Sequence, residues 1–289
     1  MTPLLGQVGS RLLDRWTTLI ALPGVIFVAV GVLGVDLGHR HALDLAMLGD
    51  RAQAAAESAT GVVVLVALAA LAATGAGLGA QLLGAGQLLW WLGSWPVPLR
   101  SYAGRRTVRR RERWVQAQAE FTKALESADP QSADAAGHGT RRNAQAWAEP
   151  SRPTWIGDRV AAVETRVRNA YGLDLPAVWP GLWLVLPDPP RIEIRSARTR
   201  VDEAAVLSAW GLMYVVLGAF WWPAALIGAV TWTVGWLTAR QAVDGYAALV
   251  ESTVDLYGAS LATTLGIPLT GALTTDVGRA ITRRVRKGA

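Results

Sequence analysis

The residues of this chain that could perform acid–base or metal chemistry are few and scattered. His39 and His41 form an H-x-H pair, but a metal site needs three or four converging ligands, so we interpret both as solvated loop residues. Glu251 and Asp255 lie one turn apart on a helical pattern, off its apolar stripe, and we interpret them as a solvated face. The chain has no cysteine, which excludes disulfides, thiol catalysis and Cys-ligated metal sites. We therefore predict no catalytic residue, no metal site and no cofactor, and a protein that is not an enzyme.

A glycine-rich segment at Gly75–Gly86 resembles a dinucleotide-binding fingerprint. That fingerprint needs a strand before it and a helix after it, whereas this segment lies inside an apolar, uncharged run. We interpret it as a helix-packing face, because Gly75 and Gly79 form a GxxxG motif that Ala80 and Gly84 continue. Such a face packs either within one chain or between two copies, and the sequence leaves both open.

Three polar side chains within the apolar runs are candidates for lining a pore. They are Gln81, Thr231 and Thr233. The commoner roles are a bridge to a neighbouring helix for glutamine and a bond to the backbone of its own helix for threonine. No apolar run carries a charged residue in its middle. Because proton- and ion-coupled transporters usually need intramembrane ionisable groups, the sequence argues against a pump or secondary transporter.

The apolar runs that contain these residues predict four membrane-spanning helices. Hydrophobic residues make up 52% of the 289 and are concentrated in blocks that are long enough to cross a hydrocarbon core. The last block, uncharged from Ala204 to Ala239, is divided at Trp221–Pro223, because proline breaks a helix and a tryptophan pair suits an interface. The predicted spans are residues 16–35, 62–83, 204–222 and 223–239.

The distribution of arginine and lysine predicts the orientation of the chain. These residues are sparse in 37–59 and abundant in 94–203 and from Arg240 onward. The positive-inside rule therefore places both termini and the central segment in the cytoplasm. The predicted parts are an N-terminal hairpin over 1–93 with an extracytoplasmic loop at 37–59, a basic cytoplasmic domain over 94–203, a second hairpin over 204–239, and a cytoplasmic helix with a basic tail over 240–289.

An arginine run at Arg105–Arg113 lies next to the second predicted span, on its inner side. Its position suits the anionic headgroups of the inner leaflet, to which each cation contributes about 1 kcal/mol. Nucleic-acid binding would require interleaved aromatic residues or a known module, and neither is present, so we favour lipid and expect no nucleic-acid partner. The predicted lipid ligands are Arg105, Arg106, Arg109, Arg110, Arg111 and Arg113.

The cytoplasmic segments read as helices separated by one linker. We predict helices from Trp114 onward, over 158–171 and over 191–203, and a linker over 129–153 from its composition. After the last span, an apolar stripe with spacings of three and four predicts one amphipathic helix over 239–265, which Gly266 helps to end. We predict that this helix forms an oligomer contact through Val250, Val254, Tyr257 and Leu261.

Four short segments resemble a family of bacterial four-span membrane proteins. They are PTWIGD at Pro153–Asp158, NAYGLD at Asn169–Asp174, WPGLWLVLP at Trp179–Pro187 and GYAALVESTVDLYGASLATTLGI at Gly245–Ile267. The resemblance implies four spans and a helical cytoplasmic domain, and it implies no particular activity. We expect the protein in a bacterial cytoplasmic membrane. Asp158 stands where that family has Asn, Gly181 where it has Arg, and Gly258 where it has a basic residue.

Taken together, the sequence predicts an all-α integral membrane protein with four transmembrane helices, a helical cytoplasmic domain and a C-terminal amphipathic helix. Its predicted function is that of a membrane-anchored scaffold or interaction subunit that self-associates and contacts anionic lipid. A cytosolic protein is a further candidate partner. The alternative function is an oligomeric channel or membrane-perturbing effector.

Overall fold

Helices account for the regular structure of the described residues. The structure is a computed structural model, and it describes residues 22–39, 42, 59–126, 133–269 and 271–287. Within those residues it contains no strand, so the prediction of an all-helical protein is confirmed there. The helices are α1 (Leu22–Leu37), α2 (Ala59–Trp91), α3 (Arg100–Leu125), α4 (Ala133–Gln145), α5 (Trp155–Tyr171), α6 (Leu175–Val185), α7 (Asp188–Leu217), α8 (Trp222–Thr264) and α9 (Thr275–Val285).

Contacts divide the chain into two compact units. The first unit comprises Met1–Gln87 and Asp202–Leu237, and the second comprises Leu88–Val201 and Thr238–Ala289. Helices α2, α7 and α8 each contribute residues to both units. The second unit holds α3 to α6 and α9 in full.

Glycines bring α7 and α8 into close antiparallel contact in the first unit. A Cβ on Gly211 would meet the backbone of Trp232, and one on Gly235 would meet Ser208. Between and beyond these contacts, Gly228 approaches Val215 and Gly218 approaches Ala225. Residue numbers rise along one helix as they fall by equal steps along the other, which defines one hairpin register. The turn covers residues 218–221, and Pro223 lies in the first turn of α8, where the missing N–H of proline costs no hydrogen bond.

Small residues also join α1 and α2 within the first unit. A Cβ on Gly24 would collide with the backbone of Ala73, so only glycine permits this approach. The Phe27 ring lies 5.7 Å from the ring of Trp210 and 5.1 Å from that of Tyr214, measured between centroids. The first unit is therefore packed by glycines and aromatic rings, as is usual where apolar surface alone cannot drive helices together.

The predicted spans differ in length from the helices that contain them. By length and composition, one described helical segment is apolar enough to cross a membrane, the Val66–Trp91 part of α2. Helix α2 continues beyond the predicted end at residue 83, because nothing interrupts it before Gly93, whose φ is +93°. The first predicted span begins outside the described residues, and α1 covers its later part. The first, third and fourth spans therefore stay predictions.

The core of the second unit lies between α5, α6, α8 and α9. Helix α5 begins at the N-cap Thr154, whose hydroxyl accepts from the Gly157 amide, and ends at Gly172 in the left-handed region. Helix α9 packs with Ile281 fully buried, and a Cβ on Gly278 would collide with the carbonyl of Tyr171. The basic C-terminal segment thus forms a docked helix, because its apolar residues fall on one face.

The predicted linker at 129–153 contains a helix. Helix α4 packs against α3, where the indole nitrogen of Trp114 donates to the Ala146 carbonyl at 2.9 Å and the Arg142 guanidinium lies 4.9 Å from the centre of the Phe121 ring. Gly139 lies against that same ring. The composition of this segment favours a loop, but contacts with α3 stabilise the helical conformation, and packing of this kind routinely overrides propensity.

Candidate functional site

A buried carboxylate joins α3, α5 and the segment before α5 in the second unit. Asp158 Oδ2 accepts from Arg110 Nε at 3.0 Å and from Arg110 Nη2 at 2.8 Å. Its Oδ1 accepts from the backbone amides of Ser151 and Arg152 at 2.8 and 2.7 Å. With four donors, this 3% exposed residue is fully satisfied. It therefore has a structural role and is not free to act as a base.

A ladder of polar pairs links α5 to α8. Arg159 pairs with Asp244 at 2.5 Å, Arg166 pairs with Glu251 at 2.7 Å, and the Tyr171 hydroxyl donates to Asp255 at 2.8 Å. The pairs follow the same order along both helices, so the two helices run parallel here. The Tyr171–Asp255 hydrogen bond, followed by burial, raises the pKa of Tyr171 above its ordinary value.

Glu251 and Asp255, which were predicted to form a solvated face, each have a partner on α5. Asp255 is nevertheless exposed, and Glu251 is half-buried. The partners lie more than eighty positions away in the sequence, which explains why local spacing did not reveal them. The Arg159 and Arg166 guanidinium groups also lie 4.6 and 5.4 Å from the ring of Trp147, which adds cation–π attraction.

The predicted lipid arginines fall into two groups. Arg110 is held by Asp158, Arg106 donates from Nε to the Pro153 carbonyl at 2.8 Å, and Arg111 pairs with Glu149. These three side chains are engaged by other residues of the second unit. The other three, Arg105, Arg109 and Arg113, are exposed and make no ion pair among the described residues.

A group of stacked aromatic rings precedes the exposed arginines in the sequence. The Trp90 and Trp95 rings stack at 4.6 Å, and the Trp95 and Tyr102 rings stack at 5.8 Å between centroids. Tyr102 lies about one turn before Arg105 on α3 and shares the face of the exposed arginines by helical spacing. We name Tyr102, Arg105, Arg109 and Arg113 the α3 basic stripe. Trp91, which lies between Trp90 and Trp95 in the sequence, is buried.

Of the predicted small-residue face of α2, one part packs within the chain and the other part is left uncovered. Ala80 is fully buried, and a Cβ on Gly84 would meet Val206 of α7 at 3.0 Å, so these two residues pack within the chain. Gly75 and Gly79 have open space around the position of an added Cβ. The GxxxG motif therefore lies on the surface that the described residues leave uncovered.

The candidate pore residues lie on two helices, and none of them is buried. Gln81 is exposed on α2, and Thr231 is half-buried on α8. The Thr233 hydroxyl donates to the Ala229 carbonyl of its own helix at 2.7 Å, which is the usual role of threonine in an apolar helix.

The predicted oligomer contact on α8 requires correction. Val250, Val254 and Leu261 are buried in the core of the second unit, with Val254 only 1% exposed, and Tyr257 packs half-buried against that core. The apolar stripe is covered by α5, α6 and α9 of the same chain. A contact between copies at these residues would require that core to open.

No protein-family model, curated protein or solved structure matches the chain. The resemblance to four-span bacterial proteins thus stays an expectation from the motifs. Two of the departures within those motifs have local consequences: Asp158 supplies the carboxylate for Arg110, and a Cβ on Gly258 would meet Leu273 at 2.7 Å.

Metal ligands do not cluster in the described part of the chain. The His39 Nε2 lies 3.0 Å from the Ala219 carbonyl oxygen, while His41 lies outside the described residues. Sequence reasoning missed two features. One is the glycine pairs of α7 and α8, each pair spaced by seven residues. The other is a basic groove at the end of α9, formed by Arg283, Arg284, Lys287, Leu265, Ile267 and Pro268.

Proposed function

We propose that the protein is a self-associating, membrane-anchored scaffold of the bacterial cytoplasmic membrane. Four spans would hold it, formed by residues 16–35, α2, and the apolar parts of α7 and α8. Both termini and the second unit would lie in the cytoplasm, as the arginine distribution requires. The second unit would present contacts to anionic lipid and to cytosolic proteins.

The surface of α2 is the observation that supports this proposal best. Its Val66–Trp91 segment is long and apolar, and only 17% of the most apolar 18-residue stretch within it is buried. Leu71 and Leu82 expose 70% and 76% of their surface. Exposed apolar surface of this extent is unfavourable in water, and a hydrocarbon core would cover it.

Self-association through Gly75 and Gly79 is a direct test. Replacing both glycines with leucine should raise the dissociation constant of the oligomer at least about tenfold, because the branched side chains prevent two α2 backbones from approaching closely. Leucine keeps the segment apolar and helical, so membrane insertion should persist. The measurement is the mass of the complex in lipid nanodiscs by native mass spectrometry, over a range of dilution.

A matched control is the replacement of Gly104 with leucine, because an added Cβ there also meets open space. Gly104 lies on α3, outside the apolar segment, so this variant should assemble as the parent does. If the parent is monomeric at every dilution, or if the double variant keeps its mass, self-association through this face is excluded.

The α3 basic stripe predicts a preference for anionic lipid. Changing Arg105 and Arg109 to glutamine should weaken the retention of phosphatidylglycerol by roughly thirtyfold, because each juxtamembrane cation contributes about 1 kcal/mol. The measurement is the number of phosphatidylglycerol molecules that stay bound when the protein is released from mixed micelles and weighed by native mass spectrometry.

The control changes Arg106 and Arg111 to glutamine, which removes the same charge from the same helix. These side chains are engaged by Pro153 and Glu149, so lipid retention should change less than threefold, or about 0.7 kcal/mol. An equal loss in both variants would mean that total charge, and not the stripe, attracts the lipid.

The alternative, an oligomeric channel, would need a polar conduction pathway that is lined by residues of several copies. Gln81 points outward on α2, which is compatible with such a pathway only if copies meet there. Thr233 already uses its hydroxyl within α8. Because no further described residue favours a conduction path, we place the channel second to the scaffold.

A further inference from the structure

A pocket of about 280 Å³ opens between α5, α6 and α8 of the second unit. Its walls are largely apolar, and two aromatic residues and one carboxylate complete them. Its volume lies just under the range of about 300–1,000 Å³ that is usual for small-molecule sites, which suits a compact group. The lining residues that the argument needs are Glu164, Trp179, Tyr246, Val160, Leu175 and Val250.

Glu164 differs from the other acidic residues between α5 and α8. Asp244, Glu251 and Asp255 each hold a partner from α5. Glu164 is half-buried at the pocket, and its carboxylate has no hydrogen bond or ion pair within the described part of the chain. A negative charge beside apolar walls is therefore left available for a cation.

Trp179 differs from neighbouring tryptophans in the same way. Each of three other tryptophan rings has a guanidinium group over its face. The pairs are Arg159 over Trp147, Arg240 over Trp155 at 4.5 Å and Arg195 over Trp183 at 5.5 Å, measured from the guanidinium carbon to the ring centre. No cation of the described residues lies over Trp179. The second unit thus uses cation–π contacts repeatedly, and Trp179 places an indole of the same kind in the wall of the pocket.

The chemistry of the walls selects the kind of cation. A primary ammonium is compact and strongly hydrated, and most of this pocket's wall is apolar, so moving that group from water into the pocket costs binding energy. A quaternary ammonium has no donor, and it is attracted by aromatic rings and by a nearby negative charge. Its methyl groups also suit the apolar walls that Val160, Leu175 and Val250 supply.

We propose that this pocket binds a quaternary ammonium group, held by the Glu164 carboxylate and by the rings of Trp179 and Tyr246. The ligand is a small molecule or head group of the choline type. The contacts are non-covalent, and no reaction is involved.

Choline and two analogues test this proposal on the full chain in maltoside micelles, which contain no choline. Choline should bind in the millimolar range or tighter by isothermal titration calorimetry. Its neutral carbon isostere, 3,3-dimethylbutan-1-ol, and its primary amine relative, ethanolamine, should each bind at least about tenfold more weakly. Equal binding of the isostere would overturn the charge contribution, and equal binding of ethanolamine would overturn the selection of a quaternary group.

Two variants locate the site. Glu164→Gln and Trp179→Leu should each weaken choline binding about tenfold, while Trp179→Phe, which keeps an aromatic ring, should retain most of it and shows that a loss in the leucine variant is not a folding defect. The control is Glu193→Gln, an exposed glutamate on α7 that pairs with Arg200, and it should bind as the parent does. Absence of choline binding to the parent, or an unchanged affinity in Glu164→Gln, would overturn the proposal.

Discussion

Replacing Gly211 with valine should lower the free energy of unfolding of the first unit by about 3 kcal/mol. A Cβ at this position would collide with the backbone of Trp232, and backbone atoms cannot yield as the end of a side chain can. The two helices must therefore separate, and the contacts at Gly228 and Gly235 loosen with them. The measurement is reversible unfolding in mixed micelles of a mild and a denaturing detergent.

The matched control is Gly86→Val on α2. Gly86 lies in the same unit and within a helix, but an added Cβ there meets open space. Helix propensity alone changes the stability by less than about 0.7 kcal/mol and in the favourable direction. If both variants lower the free energy of unfolding equally, the close packing of α7 against α8 is not what stabilises the first unit.

The hairpin also shows which part of the fold the sequence could predict. The turn follows from Trp221–Pro223, since proline and a tryptophan pair are local signals. The spacing by seven of Gly211 and Gly218, and of Gly228 and Gly235, is visible in the sequence as well. This spacing alone does not show which side of each helix packs against the other. For that, the antiparallel register of α7 and α8 must also be known.

Helix boundaries were predicted less well, for a physical reason. The expected boundaries lay where charge begins, near Glu203 and Arg240, because charge marks the edge of a hydrocarbon core. Charged residues do not end a helix, whereas glycine and proline do. Helices α7 and α8 therefore continue through these positions, and α8 spans 43 residues.

The roles of individual side chains depended on tertiary contacts. The stripe with Val250 and Val254 correctly indicates an apolar face, but the sequence does not say whether another copy or the same chain covers it. The arginine run has the same ambiguity, because Arg110 and Arg109 are adjacent and equal in chemistry. Only the position of Asp158, far along the chain, distinguishes a structural arginine from one that is free to meet lipid.

Changing Asp158 to asparagine should destabilise the second unit by about 3 kcal/mol, even though the resembling family has Asn at this position. An amide offers one oxygen and one NH₂ group, so the NH₂ must face either the Arg110 guanidinium or the amides of Ser151 and Arg152. Removing one partner of a buried ion pair leaves the other charge uncompensated, at a cost of about 3–5 kcal/mol. The Gln145 carbonyl, which Arg110 also contacts, offsets the smaller part of that cost.

The comparison that isolates burial is Glu149→Gln, which breaks the neighbouring pair with Arg111. There the side chains expose 46% and 62% of their surface, and an exposed pair contributes below about 1 kcal/mol. Thermal unfolding should thus shift clearly for Asp158→Asn and barely for Glu149→Gln. A further change, Arg110→Gln in the Asp158→Asn background, should recover part of the loss, because it removes the uncompensated cation. Failure to recover would place the destabilisation at the backbone amides of Ser151 and Arg152, and the anchoring of the segment before α5 would then be the main role of Asp158.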